Sequence, residues 1–254
     1  MAHGYSTYFS SRWDGPDSDV LNMADDPRTA LYRQLHKQQT TDEPQRIYTA
    51  ERVLRLVNDK IKVRSVLDVG CGRGLWLAVI AGLGATETIG IEGPWIESQS
   101  TYIAPEHILT RDLELGFELN RSFDLVLSIE VGEHLSAEAA ETFIASLVNH
   151  GDFILFSAAI PFQPGTGHIN CQFPDYWARL FAKHGYLPVD FIRRAIWNDG
   201  GVHVWIRQNV LAFVSSEFLS KNPWTRDIAT SSGPLSIVHP DLFTALIRTR
   251  ADRR

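Results

Sequence analysis

Cysteine and methionine are scarce in this chain, two of each in 254 residues, and Cys71 and Cys171 stand alone. No CxxC pair exists to build a zinc knuckle, and two isolated thiols make no disulfide framework. A reducing cytoplasm is the compartment this usage leads one to expect. Long apolar runs are missing as well. No stretch reaches the roughly eighteen residues of a membrane-spanning helix, so no membrane span is expected. Residues 1–10 are polar and aromatic, without a basic patch leading into an apolar stretch, so no secretory signal is expected there either. The chain also lacks a basic excess: its formal net charge is −6. Nucleic-acid binders neutralise phosphates with a broad basic face, so a small acceptor molecule is expected here and no nucleic-acid partner.

What is present is a hydrophobic share of 44%, ample for the core of an enzyme-sized domain. From residue 64 onward, apolar β-rich runs at 66–69, 88–92, 107–111, 123–129 and 153–157 alternate with helix-like stretches at 75–83, 137–149 and 174–184. That alternation predicts βαβ units in a mostly parallel sheet with helices on both faces. Runs at 186–193 and 202–214, joined by Trp197-Asn198-Asp199-Gly200-Gly201, read as an antiparallel hairpin at one edge. Ser136 is the expected N-cap of the middle helix. Residues 1–45, rich in glycine, proline and aromatics, read as a helical cap or lid over a core domain at 46–214. Residues 215–254 read as a partly ordered tail with one helix near 241–248.

Val66-Leu67-Asp68-Val69-Gly70-Cys71-Gly72-Arg73-Gly74 puts an apolar strand directly before a glycine cluster, and Leu75 opens a helix. Glycines without Cβ atoms let a ligand approach the backbone; the alternative is a tight βα turn with no ligand. A dinucleotide fingerprint would need glycine where Leu75 stands, which argues against a nicotinamide cofactor. Glu92 closes the next strand, where a carboxylate can accept hydrogen bonds from both hydroxyls of a ribose, and Asp112 follows the third strand in reach of an adenine amino group. Three acids at three successive strand ends lie where open α/β sheets bind ligands.

At these residues the chain resembles the class I methyltransferases that use S-adenosylmethionine: the Asp68 to Gly74 loop, Glu92, and Phe123-Asp124-Leu125-Val126-Leu127-Ser128-Ile129-Glu130 match their motifs. The resemblance runs from Ile47 to Val214 and implies a Rossmann-like seven-stranded sheet with an antiparallel last strand. It adds Ser128 and Glu130 to the cofactor set.

Glu130, Glu133 and His134 are spaced by three and four, so one helical turn would bring them to one side. Two carboxylates and an imidazole suit a divalent cation, or leave His134 as a general base with Glu133 behind it. Otherwise the carboxylates stabilise the N-terminus of the following helix. His168, in the glycine-flanked loop after the fifth strand, is the candidate fourth ligand and a third catalytic residue. The Glu-x-x-Glu-His pattern resembles that of ubiquinone-pathway and small-RNA O-methyltransferases, which implies a metal gripping vicinal oxygens of the substrate. The loop Gly167 to Trp177, with Trp205 to Asn209 and Val238 to Leu242, is similar to methyltransferases of polysaccharide and natural-product gene clusters and implies a sugar or related acceptor. Cys171 departs from the acid expected there. Tyr5, Tyr8, Trp13, Trp95, Tyr176 and Trp177 offer rings for stacking, with core or lid packing as the plainer role.

Overall fold

The computed structural model describes residues 27–38, 42–95, 101–230 and 234–251. Seven strands, β1 (Ser65–Val69), β2 (Glu87–Glu92), β3 (Ile108–Thr110), β4 (Leu125–Ile129), β5 (Phe153–Ser157), β6 (Tyr186–Val189) and β7 (Leu211–Ser215), form one sheet in the order β3-β2-β1-β4-β5-β7-β6. The pairs among β1 to β5 are parallel, and β7 runs antiparallel to both β5 and β6. Chain order proceeds outward from β1 to β3 on one side and from β4 to β5 on the other, with β7 inserted between β5 and the edge strand β6, so a crevice opens between the carboxyl ends of β1 and β4.

Strand periodicity sorts the side chains onto two cores. On one face Val66, Leu125, Leu127, Phe153, Leu155 and Val214 meet helices α2 (Glu43–Asn58) and α3 (Leu75–Gly82) through Val53, Leu54, Leu77 and Ile80. On the other, Leu67, Val126, Ile154, Phe156 and Phe213 meet α4 (Ala140–Val148) and α5 (Pro174–Lys183) through Phe143, Ile144, Trp177 and Phe181. Helix α1 (Pro27–Gln38) lies before this frame. Asp124 ties the start of β4 to β1 by accepting from the backbone of Arg64 and Ser65, both at 2.9 Å, at the end of the sheet opposite the crevice.

Two expected elements differ. The segment between β6 and β7 is no hairpin turn: it carries α6 (Ile192–Ile196) and α7 (Val204–Asn209). Val202 and Ile206, four apart and both buried, give this stretch a helical period, and only Leu211–Ser215 pairs as strand. Ser136 caps the turn leading into α4, its hydroxyl accepting from Ala139 N at 3.2 Å, while the helix itself begins at Ala140. After β7 come three helices, α8 (Ser216–Lys221), α9 (Pro223–Thr230) and α10 (Pro240–Ala251), where one was expected. Buried Arg207 fastens the approach to α10, donating to Trp197 O at 3.2 Å and to Asp241 Oδ2 at 3.0 Å, while Gln208 Nε2 donates to Ile237 O at 2.7 Å.

Candidate active site

A cleft of about 330 Å³ occupies the crevice, and the glycine loop forms its floor. Gly70, Gly72 and Gly74 have φ of 77°, 55° and 79°, values in the left-handed region that side chains with a Cβ resist. Gly70 and Gly72 line the cleft; Gly74 does not, and a Cβ there would press on Ile103 at 2.7 Å, so its requirement is packing. Glu92 locks the loop: Oε2 accepts from Gly72 N at 2.8 Å, and Oε1 accepts from Gly93 N and Trp95 Nε1, each at 2.8 Å. Asp68 faces the same space with Oδ2 unpartnered; burial, helped by the charge of Glu92, pushes its pKa up to about 8. Asp112 also lines the cleft and accepts from Arg28 Nη2 at 2.8 Å.

The β4 end divides the residues that the spacing grouped. Glu130 has φ of 56°, so the helical phase that would align it with Glu133 and His134 is broken, and only Gly132–His134 forms a 3-10 turn. The Glu130 carboxylate is drawn instead to Gln163 Nε2 at 2.9 Å and Asn209 Nδ2 at 3.1 Å. Glu130 still lines the cleft, whereas Ser128 is fully buried in the sheet and absent from the cleft lining. Glu133, His134 and His168 do come together, with one ligand atom from each within 4.8 Å of the others. The loop after β5 is stitched to this turn by Ile169 N and Asn170 N, which donate to Glu133 O at 2.9 and 3.0 Å. The His134 and His168 rings meet edge to face at 5.0 Å.

The protonation pattern follows from the partners. His134 Nδ1 lies 3.2 Å from Gly167 O and His168 Nδ1 lies 3.3 Å from Gln163 O. A carbonyl only accepts, so each Nδ1 that bonds to one carries the proton, which gives each ring an unprotonated Nε2 when it is neutral. Burial lowers the His168 pKa, which keeps that ring neutral. Glu133 is 0% exposed with no well-aligned hydrogen bond to either carboxylate oxygen, and burial, then the charge of Glu130, raises its pKa well above the carboxylate range against the weaker opposing pull of the Glu133 and Ala159 backbone N–H groups. An ionised carboxylate so placed costs several kcal/mol unless a cation or proton meets it.

The opposite wall is formed by Arg46 and Thr49 of α2 with His203 and Trp205, of which only Trp205 lies in a segment that the sequence pattern marked. His203 stacks on Trp205 at 4.5 Å, and burial together with the neighbouring Arg46 lowers its pKa to about 4. No motif marks Arg46, Thr49 or His203; they meet Trp205 because α2 and α7 pack on the same sheet face. Of the aromatics, Trp95 stacks on Tyr32 at 4.3 Å, Trp177 is core, and Tyr5, Tyr8 and Trp13 lie outside the described residues.

Residues 42–200 match the family described as Methyltransferase domain. The chain belongs to that family. Its sheet has the fold of the class I methyltransferases, whose methyl donor is S-adenosylmethionine. Among curated relatives, the ubiquinone biosynthesis O-methyltransferase of Rickettsia felis is 35% identical over 107 residues, 41% of this chain and 43% of that one. The Rickettsia typhi enzyme of the same name is 34% identical over 109 residues, 41% and 42% of the two chains. The methyltransferase thus spans under half the length of the curated relatives it matches. Among solved structures, Streptomyces venezuelae DesVI aligns over 74% of this chain and 98% of its own at 15% identity and a TM-score of 0.51. The plantazolicin methyltransferase BpumL aligns over 75% and 91% at 13% identity, with a TM-score of 0.51. These two share the fold with the present methyltransferase.

Proposed function

We propose that this methyltransferase acts on a hydroxyl of a small molecule or sugar unit, with Glu133, His134 and His168 as its reaction centre. The observation that carries the reading is the Glu133 carboxylate, fully buried, with one ligand atom each from His134 and His168 gathered within 4.8 Å of it. Two nitrogens and a carboxylate oxygen suit a divalent cation with positions left open for acceptor oxygens, so the residues present fit such an ion. Bound there, the cation would lower the acceptor hydroxyl's pKa. The name of the Rickettsia relatives, O-methyltransferases, favours oxygen as the acceptor atom.

The chain's own residues do the rest. Asp68, Glu92 and Asp112 give the floor of the cleft carboxylates suited to the positively charged donor, with Glu92 at the ribose and Asp112 at the adenine. Glu130, braced by Gln163 and Asn209, shapes the cleft between cofactor and acceptor. Transfer is a displacement in line: the acceptor oxygen bonds to the methyl carbon, the carbon–sulfur bond breaks, and the hydroxyl proton leaves. The Nδ1–H hydrogen bond to Gly167 O favours a second, metal-free reading in which His134 Nε2 takes that proton. Residues 1–45 and 215–254 remain, on this reading, a cap and a tail flanking the domain at 46–214. No helix among the described residues is long and apolar enough to cross a membrane, and the expected cytoplasmic setting rests on cysteine usage.

The test is a panel of hydroxyl, amine and carbon acceptors incubated with S-adenosylmethionine and scored for S-adenosylhomocysteine, with Gly72→Val as the blank. Oxygen-linked methyl products are expected. Products methylated only on nitrogen or carbon would replace this reading with another acceptor class.

A further inference from the structure

Helix α1 reaches the cleft with side chains one turn apart, and they fall on the groups assigned above to the cofactor's nucleoside. Arg28 presents its guanidinium fork to Asp112, Nη1 to Oδ1 at 3.3 Å and Nη2 to Oδ2 at 2.8 Å. Four residues on, the Tyr32 ring stacks on Trp95 at 4.3 Å with 21° between planes. Arg28 also lies over the Trp95 ring at 5.9 Å. Trp95 in turn gives its Nε1–H to Glu92. Helix α1 thus supplies a cationic donor on Asp112 and an aromatic ring on Trp95, which match the amino group and planar base that adenosine would offer in one place.

We propose that α1 is a removable plug that mimics the nucleoside, so that cofactor binding requires Arg28 and Tyr32 to leave the cleft. The proposal rests on the cofactor reading of Glu92 and Asp112. One carboxylate cannot hold both the Arg28 fork and an adenine amino group in the same positions, and one face of Trp95 cannot carry both Tyr32 and a base. The exchange reaches the reaction centre as well, because Tyr32 meets His134 edge to face at 5.8 Å and Leu31 lies beside Gly167. Lifting α1 therefore uncovers His134 together with the nucleoside end, which places cofactor binding before acceptor binding. The Arg28–Asp112 pair is partly exposed, with side-chain exposures of 34% and 12%, so salt weakens the plug.

A plug that is seated nine-tenths of the time raises the apparent dissociation constant about tenfold, since only the open fraction binds. Titration calorimetry with S-adenosylhomocysteine on the full chain reads this directly. Arg28→Gln and Tyr32→Ala are expected to bind about three- to tenfold more tightly than the wild type, with the gap narrowing at high salt. Amide exchange on the wild type gives a second reading that needs no variant: residues 27–38 should exchange faster once S-adenosylhomocysteine is added. Unchanged or weaker binding by both variants, or slower exchange across α1 with ligand, overturns the plug while leaving the cofactor site standing. No binding by the wild type overturns both.

Discussion

Asp68 shows how a buried carboxyl at the cleft weighs on the fold. Its carboxyl is buried and lacks a partner on Oδ2, and burial pushes its pKa up to about 8, well above that of an unfolded aspartate. A raised carboxyl pKa means that the folded chain holds a proton the unfolded chain has lost. Stability without ligand therefore falls as pH rises from about 4 to about 8. Asp68→Asn should remove that slope. Its melting temperature should exceed that of the wild type by several degrees at pH 8 and converge with it near pH 4, while cofactor affinity drops. Parallel melting curves for the two proteins across this range would show that Asp68 is solvated. Gly165 makes a different demand. A Cβ there would strike His168 Nε2, so Gly165→Ala should push that ring out of line with Glu133 and His134. Displacement of a reacting group by about 1 Å costs up to about a hundredfold in rate. The expected result is a fall in kcat of that order with unchanged S-adenosylhomocysteine affinity; unchanged kcat would remove His168 from the reaction. The pairing of His134 with His168 was legible in the sequence, because both follow strand ends on one sheet edge. The departure of Glu130 was not: spacing assumes a helical turn, and a positive φ at a glutamate leaves no mark in the sequence pattern.

At the level of elements, strands β1 to β5 were legible because each is a short apolar run bounded by turn residues, and β5 was expected with the bounds it has, Phe153–Ser157. Where apolar residues satisfy both periods, as at Val202, Val204 and Ile206, the sequence leaves strand and helix undecided. Packing decides: α7 brings Arg207, Gln208 and Asn209 inward, each under 10% exposed, to hold the α10 approach and Glu130. Helix α5 owes its place to aromatic packing. Phe181 is 0% exposed and stacks on Phe213 at 4.0 Å, and it lines no part of the cleft. Phe181→Ala should cost about 3–5 kcal/mol in urea unfolding, the range for truncating a buried phenylalanine, and leave ligand affinity per folded molecule intact. A loss under about 1 kcal/mol would mean that α5 is held by something other than this stack.

Across the whole molecule, two apolar cores clamp the sheet rigidly while nearly every group with chemistry sits at the carboxyl ends of β1, β2, β3 and β4 or on the loop after β5. On the proposed reading, the glycine loop and Glu92 serve the donor from one side of the crevice, and the Glu133 turn serves the acceptor from the other. The account therefore predicts that donor binding and acceptor activation can be separated. The most direct measurement is the rate of S-adenosylhomocysteine formation with the best acceptor from the panel, taken in excess chelator and after graded return of manganese, zinc or magnesium, for the wild type and His168→Ala. Wild-type turnover should vanish with chelator and return with metal, His168→Ala should stay slow throughout, and both should bind S-adenosylhomocysteine equally. Full turnover in chelator, or a His168→Ala rate equal to that of the wild type, would contradict the cation at Glu133, His134 and His168.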